Sequence, residues 1–231
     1  MAYLFDEFKN IRTFPARTRV YRDGVLAPEL SDDGDMTLPL HIIHVGNITG
    51  VQNWFVDMND SEKVFFTARV AATGATSIRM EINANIPGLE FDGKIIIKNS
   101  GGLDLSAAGN NNRDSTKIKL ETKLFAAAGS ENRLTGVANV PAETSDIETD
   151  ISFAALVDDG VKTLVISPTQ RISGVPKGAG HSASIYNPAP AQIQYLSTAG
   201  LSPADAAELL NRAFMEELSD HDLRDRVVSE I

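Results

Sequence analysis

The chain contains no cysteine in 231 residues. That excludes disulfides, zinc ribbons, thiolate catalysis and thiolate ligation of any metal centre by this chain alone. Aromatic residues make up only 6% and there is a single tryptophan, too few for the ring platforms that a carbohydrate-processing enzyme needs. No apolar run approaches the roughly 20 residues that span a bilayer, so no membrane segment is expected. Basic residues are outnumbered 21 to 31, and the resulting charge of −10 argues against a general nucleic-acid binder, which needs a basic surface to meet phosphates. The start, Met1-Ala-Tyr-Leu-Phe-Asp-Glu-Phe8, has acids where a secretion signal needs bases, so a cytoplasmic location is expected.

What the chain does have is punctuation. Turn clusters recur at Thr73-Gly74, Pro87-Gly88, Asp92-Gly93, Asn99-Ser-Gly-Gly102, Gly109-Asn-Asn-Asn112, Gly129-Ser130 and Asp158-Asp-Gly160. Between them lie strand-like segments at 64–70, 77–82, 94–98, 117–125, 134–140, 147–156, 162–166 and 171–175. Lys117-Ile-Lys-Leu-Glu-Thr-Lys-Leu124 alternates strictly, giving one wet and one dry face. Such spacing suits a β-sandwich or a β-solenoid, and with no short repeat the periodicity does not choose between them. The lack of helical patterns between strands argues against a doubly wound α/β fold.

The tail changes character. Leu196 ends an apolar face, Gly200 suits the left-handed position after a helix, Ser202 is a good N-cap and Pro203 fits the first helical position. Asp205 then favours the N-terminal dipole. Ala206, Leu209, Leu210, Ala213, Phe214 and Leu218 recur at helical spacing as one apolar stripe, edged by Asp205, Glu208, Glu216 and Glu217.

No motif for catalysis survives inspection. Gly178-Ala-Gly180-His181 looks like a dinucleotide fingerprint, but no helix opens after it. His41 and His44, three apart on one strand, point to opposite faces and make poor joint ligands. His221 lies in a charged segment. Ser182 beside His181 forms no catalytic pair, because neighbours on an extended chain point apart. His181 stands out in following a glycine-rich turn after the last strand, where the backbone can present a side chain.

Residues from about Lys117 to Phe214 resemble the core and C-terminal end of the SufB/SufD family of iron–sulphur cluster assembly proteins. The resemblance runs in order through Arg133-Leu-Thr-Gly-Val-Ala-Asn-Val140, Glu148-Thr-Asp-Ile-Ser-Phe-Ala-Ala-Leu156, Asp158-Asp-Gly-Val-Lys-Thr-Leu-Val-Ile166 and Gly180-His-Ser-Ala-Ser184. It is most specific at Tyr195-Leu-Ser-Thr-Ala-Gly-Leu-Ser-Pro-Ala-Asp-Ala-Ala-Glu-Leu-Leu210, which is similar to the family's Tyr-Leu-Arg-Ser-Arg-Gly helix pair. Upstream, Arg19-Val-Tyr-Arg-Asp-Gly24 adds to it.

The resemblance implies a mainly β chain. A right-handed parallel β-helix with irregular N-terminal strands would occupy residues 1–187, and a small helical subdomain residues 188–231. It implies a non-catalytic subunit that binds a SufC-like ABC ATPase and pairs through its β-helix, as a homodimer or as a heterodimer with a SufB-like subunit. Ala206, Leu209, Leu210, Ala213 and Phe214 would form the partner-binding stripe, and His181 would be the metal-related residue. The family's cysteine two residues before that histidine is Ala179 here, so the chain looks SufD-like. Any iron–sulphur cluster would be held transiently or with a cysteine-bearing partner, not stably by this chain. The alternative expectation is a diverged structural or adaptor β-helix without a cluster role.

Overall fold

The computed structural model describes residues 17–28, 31, 38–58 and 63–216. Eleven strands precede two helices: β1 (Thr18–Arg22), β2 (Val25–Leu26), β3 (Leu40–Met58), β4 (Lys63–Ala84), β5 (Glu90–Asn99), β6 (Gly102–Asn111), β7 (Lys117–Ala126), β8 (Glu131–Val140), β9 (Ser145–Val157), β10 (Thr163–Ile172), β11 (Val175–Tyr186), α1 (Pro190–Thr198) and α2 (Pro203–Glu216). Apart from the β1–β2 hairpin every pairing is parallel. The body is therefore a parallel β-helix of about 6 turns, as the resemblance implied, and the sandwich alternative is removed.

The strands stack in two ladders. The first runs through β1, residues 40–48 of β3, residues 63–72 of β4, then β5, β7, β9 and β11. The second runs through residues 50–58 of β3, residues 75–84 of β4, then β6, β8 and β10. β3 and β4 pass from one ladder to the other without a break, bending at Gly50 and Gly74, whose φ of 69° and 73° demands glycine. Thr73-Gly74 is thus a bend within one strand, not a turn between two. β6 is a strand where none was expected: Leu103, Leu105 and Ala107 alternate inward but lie between glycine and asparagine clusters that read as loops.

Between the ladders lies one core. Phe66, Phe91, Ile95, Ile97, Leu120, Leu124, Ile151 and Phe153 face Ile78, Met80, Ile82, Leu105 and Leu134, nearly all without solvent exposure. Large rings fit because glycine lies beneath them. A Cβ on Gly136 would come within 2.7 Å of the Phe153 ring, and one on Gly93 within 2.5 Å of Phe91.

Stacked coils place equivalent residues side by side, so polar corners must satisfy one another. Amides do so by forming ladders: Asn112 donates to Asn85 (2.8 Å), while Asn139 donates to Asn110 (2.6 Å) and Asn110 to Asn83 (2.8 Å). Inside another corner the Asn99 amide donates to Asn132 Oδ1 at 2.7 Å. Charges instead alternate in sign. Lys63 pairs with Glu90 at 3.1 Å, Glu90 stands beside Lys117, Lys117 pairs with Glu148 at 3.5 Å, and Lys177 reaches Glu148 at 3.1 Å.

The two ends differ. At the first, β2 folds back on β1 through Asp23-Gly24, both at positive φ, and an aromatic group closes the core. Tyr21 stacks on His44 at 4.4 Å, and Trp54 and Phe66 flank the imidazole at 4.8 and 5.2 Å. At the other end β10 and β11 form the last coil, and no described strand pairs with their outer edges. Ile172, Val175 and Ile185 are exposed there, the last two by 69% and 64%.

Candidate functional site

The open last coil and the helices that follow it bring together most of the residues singled out from sequence. β11 replaces the expected glycine-rich turn, and the reason is physical. A terminal strand needs no dry face, so Gly178-Ala-Gly180-His181-Ser182 carries none of the apolar alternation by which strands are recognised. The strand begins with a register shift around Pro176 that pushes Lys177 out to Glu148. The hydrogen bond from Lys177 holds the Glu148 carboxyl below the usual range, helped by the charges of Lys177 and Lys117, and the Lys177 ammonium is raised in turn. Beyond the shift, Gly180 lies close against Asp150: an added Cβ would stand 3.0 Å from the carboxylate oxygen, so that side chain would have to shift slightly.

His181 is in register with Ile151, and Ala179, Ala183 and Ile185 with Thr149, Phe153 and Ala155. These four continue the row that faces the core in earlier coils, yet all are exposed, and no described coil covers them. Ser182 is in register with Ser152 and takes the opposite face, so it makes no pair with His181. Among the described residues no three His, Asp or Glu side chains gather to hold a metal ion. A metal at His181 would need further ligands from outside the described residues.

His41 stacks on Phe65 at 4.9 Å on the outer face, while His44 is buried among rings, which bears out their opposite orientation. His221, Leu218 and Glu217 lie outside the described residues. Across the second ladder, Val51, Ser77, Asp104, Arg133 and Val165 line a groove of about 480 Å³. The buried amide at its floor, Asn132, is already committed to Asn99, Ser130 and the Thr163 carbonyl.

The helical hairpin forms as its sequence dictates. Gly200, at φ 99°, ends α1 with bonds from Leu201 N–H to the Leu196 carbonyl and from Gly200 N–H to the Ser197 carbonyl. Ser202 Oγ accepts from the Asp205 N–H at 3.1 Å and donates to the Asp205 carboxylate at 2.6 Å. The apolar stripe of α2 is divided by its surroundings. Ala206 is completely buried, and Leu210 and Phe214 are half-buried. Leu209 (46% exposed) and Ala213 remain on the outside. Tyr195 on α1 is also exposed, at 74%, although only its place in the helix pair, and no local pattern, marks it in the sequence.

Phe214 turns back onto the β-helix. Its ring stacks on Tyr186 at 5.8 Å and nearly parallel, and its carbonyl accepts from Lys123 Nζ at 2.6 Å. Lys123 was expected on the wet face of β7, and it is on that outer face, but the hairpin reduces its exposure to 8%. No helix among the described residues is long and apolar enough to cross a membrane. No protein-family model matches the chain, and no curated protein matches its sequence.

Proposed function

We propose that the chain is a non-catalytic, cytoplasmic subunit of an iron–sulphur cluster assembly system of the SufB/SufD type. Its helical hairpin docks a SufC-like ABC ATPase, and its β-helix pairs with a second subunit, identical or SufB-like. The observation that carries this reading is the unpaired last coil, which exposes Val175, Ile185 and His181 on one strand and leads directly into the hairpin. Exposed apolar edges are a hazard that proteins cover or use, and the partner envisaged here covers this one. In this reading the cluster is cargo. His181 offers one imidazole at the junction, and the cysteines come from the partner, since soft iron sites need thiolates this chain lacks.

Deleting residues 202–231 tests the ATPase assignment. Co-purification with the ATPase should be lost while the β body stays folded, because its core residues lie in β3 to β9. Retained binding would move the interface onto the β-helix. His181→Ala tests the junction. Cluster loading in the assembled complex should fall several-fold with subunit pairing intact, and unchanged loading would leave His181 with a packing role alone.

The absence of cysteine favours a second reading, a β-helix adaptor that has kept the fold and lost cluster work. An adaptor would co-purify with partners but leave cluster loading in the complex unaffected when it is omitted.

A further inference from the structure

The contact between Lys123 and Phe214 has the character of a joint. Burying an ammonium group is costly unless its hydrogen bonds are met. Lys123, on the seventh strand, meets part of that cost in the last described turn of α2, at the Phe214 carbonyl. Its Nζ donates to the Phe214 carbonyl at 2.6 Å and stands 4.8 Å from the centre of the Phe214 ring, so one side chain makes a charge-assisted hydrogen bond and a cation–π contact.

Phe214 also stacks on Tyr186, the last residue of β11. Tyr186 in turn donates its hydroxyl hydrogen to Gln192 Oε1 at 3.0 Å, and the same oxygen accepts the Ala189 N–H at the start of α1. Four elements, β7, β11, α1 and α2, therefore meet through four side chains, Lys123, Tyr186, Gln192 and Phe214. The residues in register with Lys123 on β9 and β11 are Ala154 and Ser184, small enough to leave a lane across the sheet in front of the lysine. Every strand of the first ladder between β3 and β9 has neighbours on both sides, whereas β11 is hydrogen-bonded to β9 alone among the described strands.

We infer that Lys123 and Tyr186 are positioning residues that lock the helical hairpin to the edge strand β11, so that the hairpin and the open last coil move as one body. On the function proposed above, on which only this consequence rests, a partner that loads the hairpin would act directly on the strand that carries His181.

Hydrogen exchange of the intact protein alone, followed by mass spectrometry, tests the joint without any partner. Lys123→Met keeps the stem and removes the cation. It should speed exchange about tenfold or more, the loss expected for a hydrogen bond to a charged group, both in α2 and in the β11 amides that donate to β9. Residues 90–99 should be unaffected. Lys123→Arg, which retains a cationic donor, should restore much of the protection. Tyr186→Leu, which leaves the lysine in place, should loosen the same two elements and serves if the methionine variant does not fold. Faster exchange in α2 with β11 unchanged would reduce the contact to a tether and overturn the inference, as would no change in either element. Failure to bind an ATPase would count against the proposed function and leave the joint standing.

Discussion

Gly101→Ala should destabilise the β-helix by about 3 kcal/mol or more, the range reached when an added methyl meets atoms that cannot move aside. Gly101 sits at the corner between β5 and β6, directly against the preceding coil. A Cβ there would lie 2.3 Å from the Gly74 carbonyl oxygen and 2.6 Å from its nitrogen. Those are backbone atoms in a stacked corner, so no rotamer relieves the clash. Both polar groups of Gly101 are also committed: its N–H donates to Asn99 Oδ1 at 3.0 Å, and its carbonyl accepts from Asn99 Nδ2 at 3.0 Å and from the Glu131 N–H at 2.9 Å. A shift large enough to admit the methyl would break the bonds to Asn99 and to the following coil. The next residue supplies the control. A Cβ on Gly102 would have as its nearest neighbour the Ala75 Cα at 3.9 Å, an ordinary contact, so Gly102→Ala should be nearly neutral. Urea unfolding of the two variants decides the matter, and similar midpoints would mean that the corners are not in close contact.

Lowering the pH from 7 to 4 should cost about 3 kcal/mol of stability through one residue, His44. Burial lowers its pKa from 6.5 to about 4. The ring lies flat on Tyr21 and is flanked by Trp54 and Phe66, and at 7% exposure water cannot solvate the imidazolium. With the folded value depressed, the unfolded chain binds the proton first. Stability is complete above about pH 6.5, declines as the pH falls through the interval, and has lost this contribution below about 4. At pH 5 the loss should be about 2 kcal/mol. Carboxylate pairs such as Glu148 with Lys177, where the acid is held below its ordinary value, weaken only at lower pH. His44→Phe should therefore flatten the stability profile between pH 7 and 5, as followed by thermal or urea unfolding. A variant with the wild-type slope would show that the imidazole is already solvated when folded.

Much of this architecture was legible in the sequence, for reasons that also explain what was not. β7 announced itself because Ile118, Leu120, Thr122 and Leu124 face the core while the intervening residues meet the outer face, so one strand records both environments. The hairpin was legible because Gly200, Ser202 and Asp205 act within a few residues of where they stand. β11 was illegible for the opposite reason. Its inward row has no described coil above it, so nothing there selects for apolar residues at Ala179, His181 and Ala183. The burial of Lys123 comes from Phe214, 91 residues away, and leaves no trace in the alternating pattern around it. For the site, then, single residues such as His181 could be singled out, but their neighbours across coils could not, because the spacing between coils is uneven: 27 residues between Asn85 and Asn112, but 31 between Ser115 and Asp146.

The alternating row Lys63, Glu90, Lys117, Glu148 and Lys177 gives the stack a parity. Each pair is half-exposed and individually weak. The row nonetheless distinguishes correct from incorrect neighbours during assembly. A strand that skips a coil would set Lys63 against Lys117, or Glu90 against Glu148, and meet repulsion where the proper neighbour offers attraction. The same parity governs how such a body could lengthen. Duplicating one coil brings two like charges together, whereas duplicating two preserves the alternation, so growth in even steps is the route that this edge of the molecule leaves open.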